Sequence, residues 1–394
     1  MLKEMKDYDY YDQDVVVRCD LNVPLDSEGR ILDDSRIKAC IPTLKHLLDS
    51  KAHKIAIISH FGRPNGKFDQ KYSLKFLVPI LEKHLDEEIF FIEDLTQLSS
   101  LRCFLLTKYS RTFLLENVRF HEAEELNTPR FSRQLANYGD YYINDAFSCS
   151  HRNHASITGI TNCLKRVAGG FNLIKEVNFL KSVVENPQKP LVGIIGGSKV
   201  STKLKLINNL IEKLDYLIIG GAMANTFLKA QGYELGKSLV EEDMIDNAKE
   251  IIEKFSEKLI LPVDAVVASS IDAKDTINTD FKNFPKDMLV GDIGKKSVEK
   301  FIEVIDKAKM VFWNGPLGAF EYKPFSDSSL AIAKFLAQKT KQGDIQSIAG
   351  GGETVAVIDG ACVSKDFTFV STAGGAFLEF LEGSELVGLK VLEQ

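Results

Sequence analysis

Short runs rich in Val, Ile, Leu and Phe recur along the whole chain and alternate with segments in which apolar residues return every three or four positions. In the first half the runs lie at 15–17, 54–59, 89–93, 112–116 and 141–145; in the second they lie at 191–195, 216–220, 261–268, 310–313, 347–350 and 367–371. Between them stand stretches such as Val200, Leu204, Ile207, Ile211 and Leu214, whose spacing puts the apolar residues on one face of a helix. This β-α-β alternation predicts an α/β chain of parallel sheets covered by helices on both faces. Gly169-Gly170 precedes a helical stretch near 173–185, which ends at Asn186-Pro187 and gives way to Pro190 and a new strand. That punctuation reads as a connecting helix with a flexible start. The expected fold is therefore two doubly wound parallel-sheet (Rossmann-like) domains, at 1–169 and 190–380, joined by a hinge helix within 170–189.

Composition narrows the classes open to such a chain. At 394 residues it exceeds what one core usually organises, which supports two domains. The net charge of -6 and a pI near 5.8, with no runs of basic residues, argue against a nucleic-acid surface. The first residues lack an apolar signal core and no apolar stretch has the length of a membrane span, so no membrane partner and a cytoplasmic location are expected. Cys19, Cys40, Cys103, Cys149, Cys163 and Cys362 are scattered without metal or redox spacing, which suits reduced thiols. One asymmetry stands out. All 11 Arg and all 7 His lie at or before residue 166, whereas 22 of the 27 Gly lie after it. Arg suits carboxylate and phosphate oxygens, while Gly lets backbone N–H groups close on a phosphate. Either the first half grips a small anion and the second cradles a nucleotide, or the partition is compositional drift.

Ligands of open parallel sheets bind beyond the carboxyl ends of the strands, and the unusual residues sit there. Arg18-Cys19-Asp20-Leu21-Asn22 follows the first strand, His60-Phe61-Gly62-Arg63 the second, Glu116-Asn117-Val118-Arg119 the fourth, and Asp145 then Ser150-His151-Arg152 the fifth. With Arg36 opening a helix, Arg36, Arg63, Arg119 and Arg152 could share one crevice; singly, each reads as a surface residue or an ion-pair partner. In the second half the stretch 193–203 runs strand, Gly-rich turn, helix, and places Lys199 and Lys203 at i and i+4 on the first turns of that helix. It could hold a phosphate at a helix N-terminus or be a tight turn. It matches neither GxxxxGK[ST] nor GxGxxG, which counts against a P-loop and a dinucleotide fold. Two further Gly-rich turns, at 349–354 and 372–377, follow apolar runs and open helices. Glu353 in the first of them is a candidate Mg2+ carboxylate or a helix cap.

At this point the motifs themselves are diagnostic. RCDLNVP, RIKACIPTL, SHFGRP, LLENVRF, HRNHAS, GGSKVSTK, IIGGAMANTFL, LPVDAVVA, WNGPLGAFE, GGGET and VSTAGGAFLEFLEG, in this order along the full chain, resemble the phosphoglycerate kinase family. The resemblance implies reversible phosphoryl transfer between 1,3-bisphosphoglycerate and Mg-ADP, giving 3-phosphoglycerate and Mg-ATP. It also implies a hinge-bending cytoplasmic monomer, with residues 381–394 returning to the first domain. Carried onto matching positions, Asp20, Asn22, Arg36, His60, Arg63, Arg119 and Arg152 resemble the glycerate site. Lys199 and Lys203 resemble the lysines at the nucleotide phosphates and the transferring group, with Arg36 as their catalytic counterpart from the other domain. Gly220, Gly221 and Leu317 resemble adenine-slot walls, Asn314 and Glu321 polar nucleotide contacts, and Gly351, Gly352, Glu353 and Thr354 the phosphate and metal turn.

The implied chemistry needs no general base, because the nucleophile is a carboxylate or a phosphate oxygen already ionised near neutral pH. The chain departs from the family pattern at Glu353, where Asp is usual, at Ala373 in the later glycine triplet, and at Val290, Gly291 and Lys295 near the adenine slot. Glu353 is the one feature that favours a rival reading, a catalytically weak homologue serving as an anion-binding scaffold; the intact lysines and arginines oppose it.

Overall fold

The computed structural model of the chain describes residues 2–95, 110–371 and 373–393. Two compact units divide it, residues 1–178 with 385–394, and residues 179–384. The division falls within one helix, Phe171–Val184.

The first unit is built on six parallel strands, β1 (Asp14–Arg18), β2 (Lys54–Ile58), β3 (Ile89–Ile92), β4 (Thr112–Leu115), β5 (Tyr141–Asn144) and β6 (Arg166–Gly169), in the order β3-β4-β2-β1-β5-β6. Every residue of β4 and β5 is buried, as is all but the first of β1 and β2. Burial on both faces is why these strands read as unbroken apolar runs. β6 escaped the sequence reading because it offers only Val167 and Ala168 between an arginine and a glycine. From β1 the chain winds outward through β2, and it later crosses back to place β5 on the other side of β1. The strand order thus reverses between β1 and β5, which opens a crevice at their carboxyl ends.

The second unit repeats the plan. β7 (Leu191–Ile195), β8 (Tyr216–Ile219), β9 (Leu259–Ile260), β13 (Met310–Asn314), β14 (Gln346–Gly350) and β15 (Phe369–Ser371) form a parallel sheet in the order β15-β14-β13-β7-β8-β9, reversing between β7 and β13. One sequence expectation fails here. The run at 261–268 is not a strand of the parallel sheet; β10 (Asp264–Ala268) pairs antiparallel with β11 (Ile277–Asp280) and β12 (Leu289–Ile293) in a separate three-stranded sheet. The chain leaves the parallel sheet after Ile260, where Pro262 has no N–H with which to continue the ladder.

One local expectation is also corrected. The helix after β7 starts at Leu204, with Lys203 as its N-cap residue, so Lys199 lies in the preceding turn and the two lysines do not share a helical face. The backbone leading into the connecting helix is hydrogen-bonded at both glycines. Gly169 N–H donates to Lys3 O at 2.9 Å and Gly170 N–H to Asn144 O at 2.9 Å. A Cβ on Gly170 would fall 2.3 Å from Asp145 Oδ1, the oxygen that accepts from Asn172 and Leu173 N–H at 2.8 and 3.2 Å and so caps the connecting helix.

A comparable cap in the second unit carries a pH dependence. Asp292, buried at the end of β12, accepts from Ser328 N–H at 3.1 Å at the start of the helix Asp327–Lys341, and from Ile293 N–H at 2.8 Å. Burial outweighs these donors and pushes its carboxyl up to about 7. The folded unit therefore holds this proton more tightly than the unfolded chain does. The stability it contributes is complete below the unfolded value near 3.8 and is lost as pH rises towards 7. Asp292→Asn keeps an acceptor and removes the titration. Its stability relative to the unsubstituted protein is expected to improve by roughly 1 kcal/mol per pH unit between pH 4 and 7, then level off. Urea unfolding followed by the fluorescence of Trp313, the single tryptophan and fully buried in this unit, reads the difference; a difference that does not change with pH contradicts the assignment.

Candidate active site

In the first unit the crevice at the ends of β1 and β5 is lined with cations held by specific acceptors. Asp20, just past β1, takes Arg36 Nη1 at 2.8 Å and the Ser148 hydroxyl at 2.6 Å. Arg36, in the first turn of the helix Ser35–Asp49, also donates to Asn22 O at 3.2 Å. Asn22 Oδ1 accepts from Gly62 N–H at 2.8 Å, which ties the loop after β1 to the loop after β2. Arg119 is buried and donates through Nη1 to Gly62 O at 2.8 Å. Its Nε lies 3.5 Å from Glu125 and makes no hydrogen bond, so the guanidinium retains donor capacity. Arg152 is half-buried; Arg63 is exposed.

His60 sits among these charges. Burial first, then Arg18, Arg119, Arg152 and Arg36, hold its imidazole well below the usual 6.5. Arg18 Nη2 stands 3.1 Å from His60 Nδ1. A guanidinium has donors only, so Nδ1 must accept and the ring proton must lie on Nε2. Arg18 itself is only 2% exposed. Its Nε donates to Ser156 Oγ at 3.1 Å, and Ser156 in turn donates to Glu124 through Oγ at 2.5 Å and through its N–H at 2.9 Å. Glu124 thus balances Arg18 through a hydroxyl rather than by direct pairing.

In the second unit β7 and β13 end in a close backbone crossing. Gly196 N–H donates to Asn314 O at 2.9 Å, and a Cβ on Gly196 would lie 2.0 Å from Pro316 O. Gly221, at φ +67°, donates to Leu317 O at 2.9 Å, and a Cβ there would fall 2.5 Å from Gly197 O. Gly220 packs so tightly that a Cβ would meet the Leu317 side chain at 2.3 Å. Asn314 is buried at the centre: Nδ2 donates to Gly350 O at 2.6 Å and Oδ1 accepts from Lys203 Nζ. Burial lowers the Lys203 ammonium, while Glu353 and Glu382 oppose that shift. Thr354 Oγ1 accepts from Gly315 N–H at 2.7 Å, and Gly351, at φ +97°, precedes the helix Gly352–Gly360. This brings Lys203, Gly220, Gly221, Asn314, Leu317, Gly351 and Thr354 into one neighbourhood. Lys199 and Glu321 are exposed.

Glu353 is exposed in the first turn of that helix, and a Cβ on Gly352 beside it would meet nothing within 4 Å. Among the described residues no three Asp, Glu, His or Cys gather into a metal-holding group. A single open carboxylate at a helix N-terminus fits Mg2+ carried by a polyphosphate, since Mg2+ needs only one or two protein carboxylates beside phosphate oxygens and water.

A family model described as phosphoglycerate kinase matches residues 5–384. The chain belongs to the phosphoglycerate kinase family. Phosphoglycerate kinase from Sinorhizobium medicae is 45% identical over 384 residues, covering 96% of each chain, and that from Nitratiruptor is 44% identical over 399 residues, covering 100% of this chain and 98% of the relative. The solved structure of phosphoglycerate kinase from Coxiella burnetii shares 38% identity with a TM-score of 0.89, covering 100% of this chain and 99% of that one. That from Pyrococcus horikoshii shares 30% with a TM-score of 0.81, covering 100% and 98%.

Several residues that build these crevices were not singled out from the phosphoglycerate kinase motifs. Ser59 Oγ donates to Cys19 O at 2.9 Å and accepts from Leu21 N–H at 3.0 Å. Asn117, fully buried, donates to Phe61 O at 2.7 Å and Tyr72 O at 3.0 Å while accepting from Phe61 and Arg119 N–H. Both lie within quoted motifs, so a signal existed: a polar residue within two positions of the end of an apolar strand. Arg18, Glu124 and Ser156 form a network across 138 residues of sequence, which no local pattern reveals.

The Arg18 contact fixes a measurable state. Nitrogen-15 chemical shifts of His60 are expected to report the Nε2–H tautomer and no titration between pH 5 and 8. An imidazole with its midpoint near 6.5 contradicts the arrangement, and Arg18→Met, which removes the Nδ1 partner and one of four charges but leaves the burial, is expected to weaken the Nε2–H preference and raise the midpoint only in part.

Proposed function

We propose that the chain catalyses reversible phosphoryl transfer between 1,3-bisphosphoglycerate and Mg-ADP, giving 3-phosphoglycerate and Mg-ATP. The observation that carries this reading is the division of labour between two strand-end crevices in one phosphoglycerate kinase chain, guanidinium groups in one and glycine turns with Lys203 in the other. Asp20, Asn22, Arg36, His60, Arg63, Arg119 and Arg152 are assigned to the glycerate. Lys199, Lys203, Gly220, Gly221, Asn314, Leu317, Glu321 and the turn Gly351 to Thr354 are assigned to the nucleotide. The reading includes a cytoplasmic monomer in which the stretch 170–189 serves as a hinge, since transfer requires the two ligands to meet in line.

In the direction of ATP synthesis a β-phosphate oxygen of ADP bonds to the transferring phosphorus as the bond from phosphorus to the carboxyl oxygen breaks, and that electron pair stays on the carboxylate. No proton needs to move. What the protein supplies is position and charge. Arg36 and the ammonium groups of Lys199 and Lys203 offset the repulsion between two anions. Neutral His60, with its proton on Nε2, can donate to an oxygen of the glycerate. Asn314 holds Lys203 through a neutral oxygen, so the ammonium is oriented without losing its charge. Glu353 would hold Mg2+ together with nucleotide phosphates, and the bound cation would neutralise part of their charge.

Lys203→Ala is expected to lower turnover by roughly a hundredfold or more, as when a preorganised electrostatic donor is removed, with a much smaller loss of nucleotide affinity. A coupled assay beside calorimetry with ADP decides; unchanged turnover would sink the proposal for this residue.

Glu353 has one methylene more than the family's usual Asp, and Mg2+ tolerates little departure from octahedral geometry at short range. With Mg2+ bound, Glu353 would hold it through a water, which would accommodate the difference while leaving the glycine turn in place. Glu353→Asp is then expected to preserve or improve activity at limiting Mg2+, and Glu353→Gln to raise the Mg2+ requirement. Should Glu353→Gln follow the unsubstituted protein throughout a Mg2+ titration, this carboxylate is only a helix cap.

A further inference from the structure

The second unit carries a cavity of about 520 Å3 that the reaction does not use. It opens at the last turn of the helix Met223–Ala230, beside Leu228. That helix begins next to Gly221, so the cavity and the nucleotide crevice are separated by roughly 10 Å of helix. Leu228, Leu259 and Phe281 give it an apolar wall, and Lys282, Lys296 and Lys300 stand around it.

These lysines are unusual in what they lack. Among the described residues none of the three pairs with a carboxylate. Lys300 Nζ donates to Leu261 O at 3.1 Å, and burial without an opposing charge holds its ammonium below the usual 10.5. The one acid in the lining is Asp280. Its Oδ1 already accepts from Lys282 and Asn283 N–H, each at 3.0 Å, and from Asn283 Nδ2 at 3.1 Å. Three lysines beside an apolar wall therefore share one lining carboxylate, that of Asp280, whose Oδ1 is already occupied by N–H donors, and none of the three forms an ion pair with it. An anion that also covers the wall would offset the cost of the partly buried Lys300 charge and balance the three lysines' excess of positive charge over the single Asp280.

We propose that this cavity binds a small amphipathic anion, with its apolar body on Leu228, Leu259 and Phe281 and a carboxylate or phosphate head among Lys282, Lys296 and Lys300. The site is separate from both crevices assigned to the reaction and does not depend on that assignment.

Calorimetry on the full chain, with 3-phosphoglycerate and ADP in excess to fill the reaction site without a transferable phosphoryl group, tests it. Octanoate, octyl phosphate and octanol are the probes. At least one of the two anions is expected to bind one site, and whichever binds identifies the head group. Octanol should bind at least about tenfold more weakly, the loss expected when a charge-assisted contact is removed. Lys282→Ala/Lys296→Ala changes two exposed side chains and should weaken the anion by a similar factor, whereas Lys300→Arg should retain it. Octanol binding as tightly as the anions, the double variant binding them unchanged, or neither anion binding at low millimolar concentration would each overturn the proposal.

Discussion

The hydrogen bond from Gly196 N–H to Asn314 O joins the ends of β7 and β13 where the strand order of the second sheet reverses. Around it the backbones at Gly196, Gly221 and Gly315 approach too closely for side chains; a Cβ on Gly315 would come 2.2 Å from Gly196 O. This approach sets the geometry of everything above it. Because the backbone is already committed there, the Asn314 amide lies between Lys203 and Gly350, and Thr354 is anchored to Gly315. The first unit meets the same topological demand with other means. Its reversal lies between β1 and β5, where Asp145 N–H donates to Arg18 O at 2.9 Å, and side chains rather than glycines fill the space.

In both crevices cations are held mostly without a direct carboxylate partner. A direct carboxylate partner would fix the geometry and cancel the charge. Arg18 is instead linked to Glu124 through Ser156, Lys203 is held by an amide oxygen, and Arg119 leans on a backbone carbonyl. Arg36 is paired directly with Asp20, a carboxylate shared with Ser148, and Arg119 Nε lies a longer 3.5 Å from Glu125. Burial first, and this retained positive charge second, hold His60 well below its usual value, and a neutral imidazole bonded at Nδ1 can only offer its Nε2–H outward.

The parallel sheets were legible because their strands are buried on both faces, which leaves an apolar run that needs no partner to be recognised. β6, with two apolar residues, fell below that signal. β10 was legible as a strand and not as to its sheet, since pairing direction depends on where Pro262 releases the chain. Lys199 and Lys203 have helical spacing, yet the glycine turn delays the helix to Leu204. Side chains at strand ends were readable from their positions. Their supports, such as Ser156 behind Arg18 or Asn117 between two loops, depend on contacts distant in sequence, and one chain offers no pattern for those.

The first unit has a consequence for synthesis that follows from its construction. It is assembled from two segments: Gly388 N–H donates to Ser150 O at 2.7 Å, Lys3 N–H to Leu392 O at 3.1 Å, and a Cβ on Gly388 would press into Ile157 and Ser150. The stretch 385–393 leaves the ribosome only after the whole of 179–384, which is contiguous and can fold as it emerges. The unit translated first is therefore completed last. Until then the surface around Ser150, two residues from Arg152, lacks its cover, so the arginine-lined crevice of that unit is finished only once 385–393 has docked.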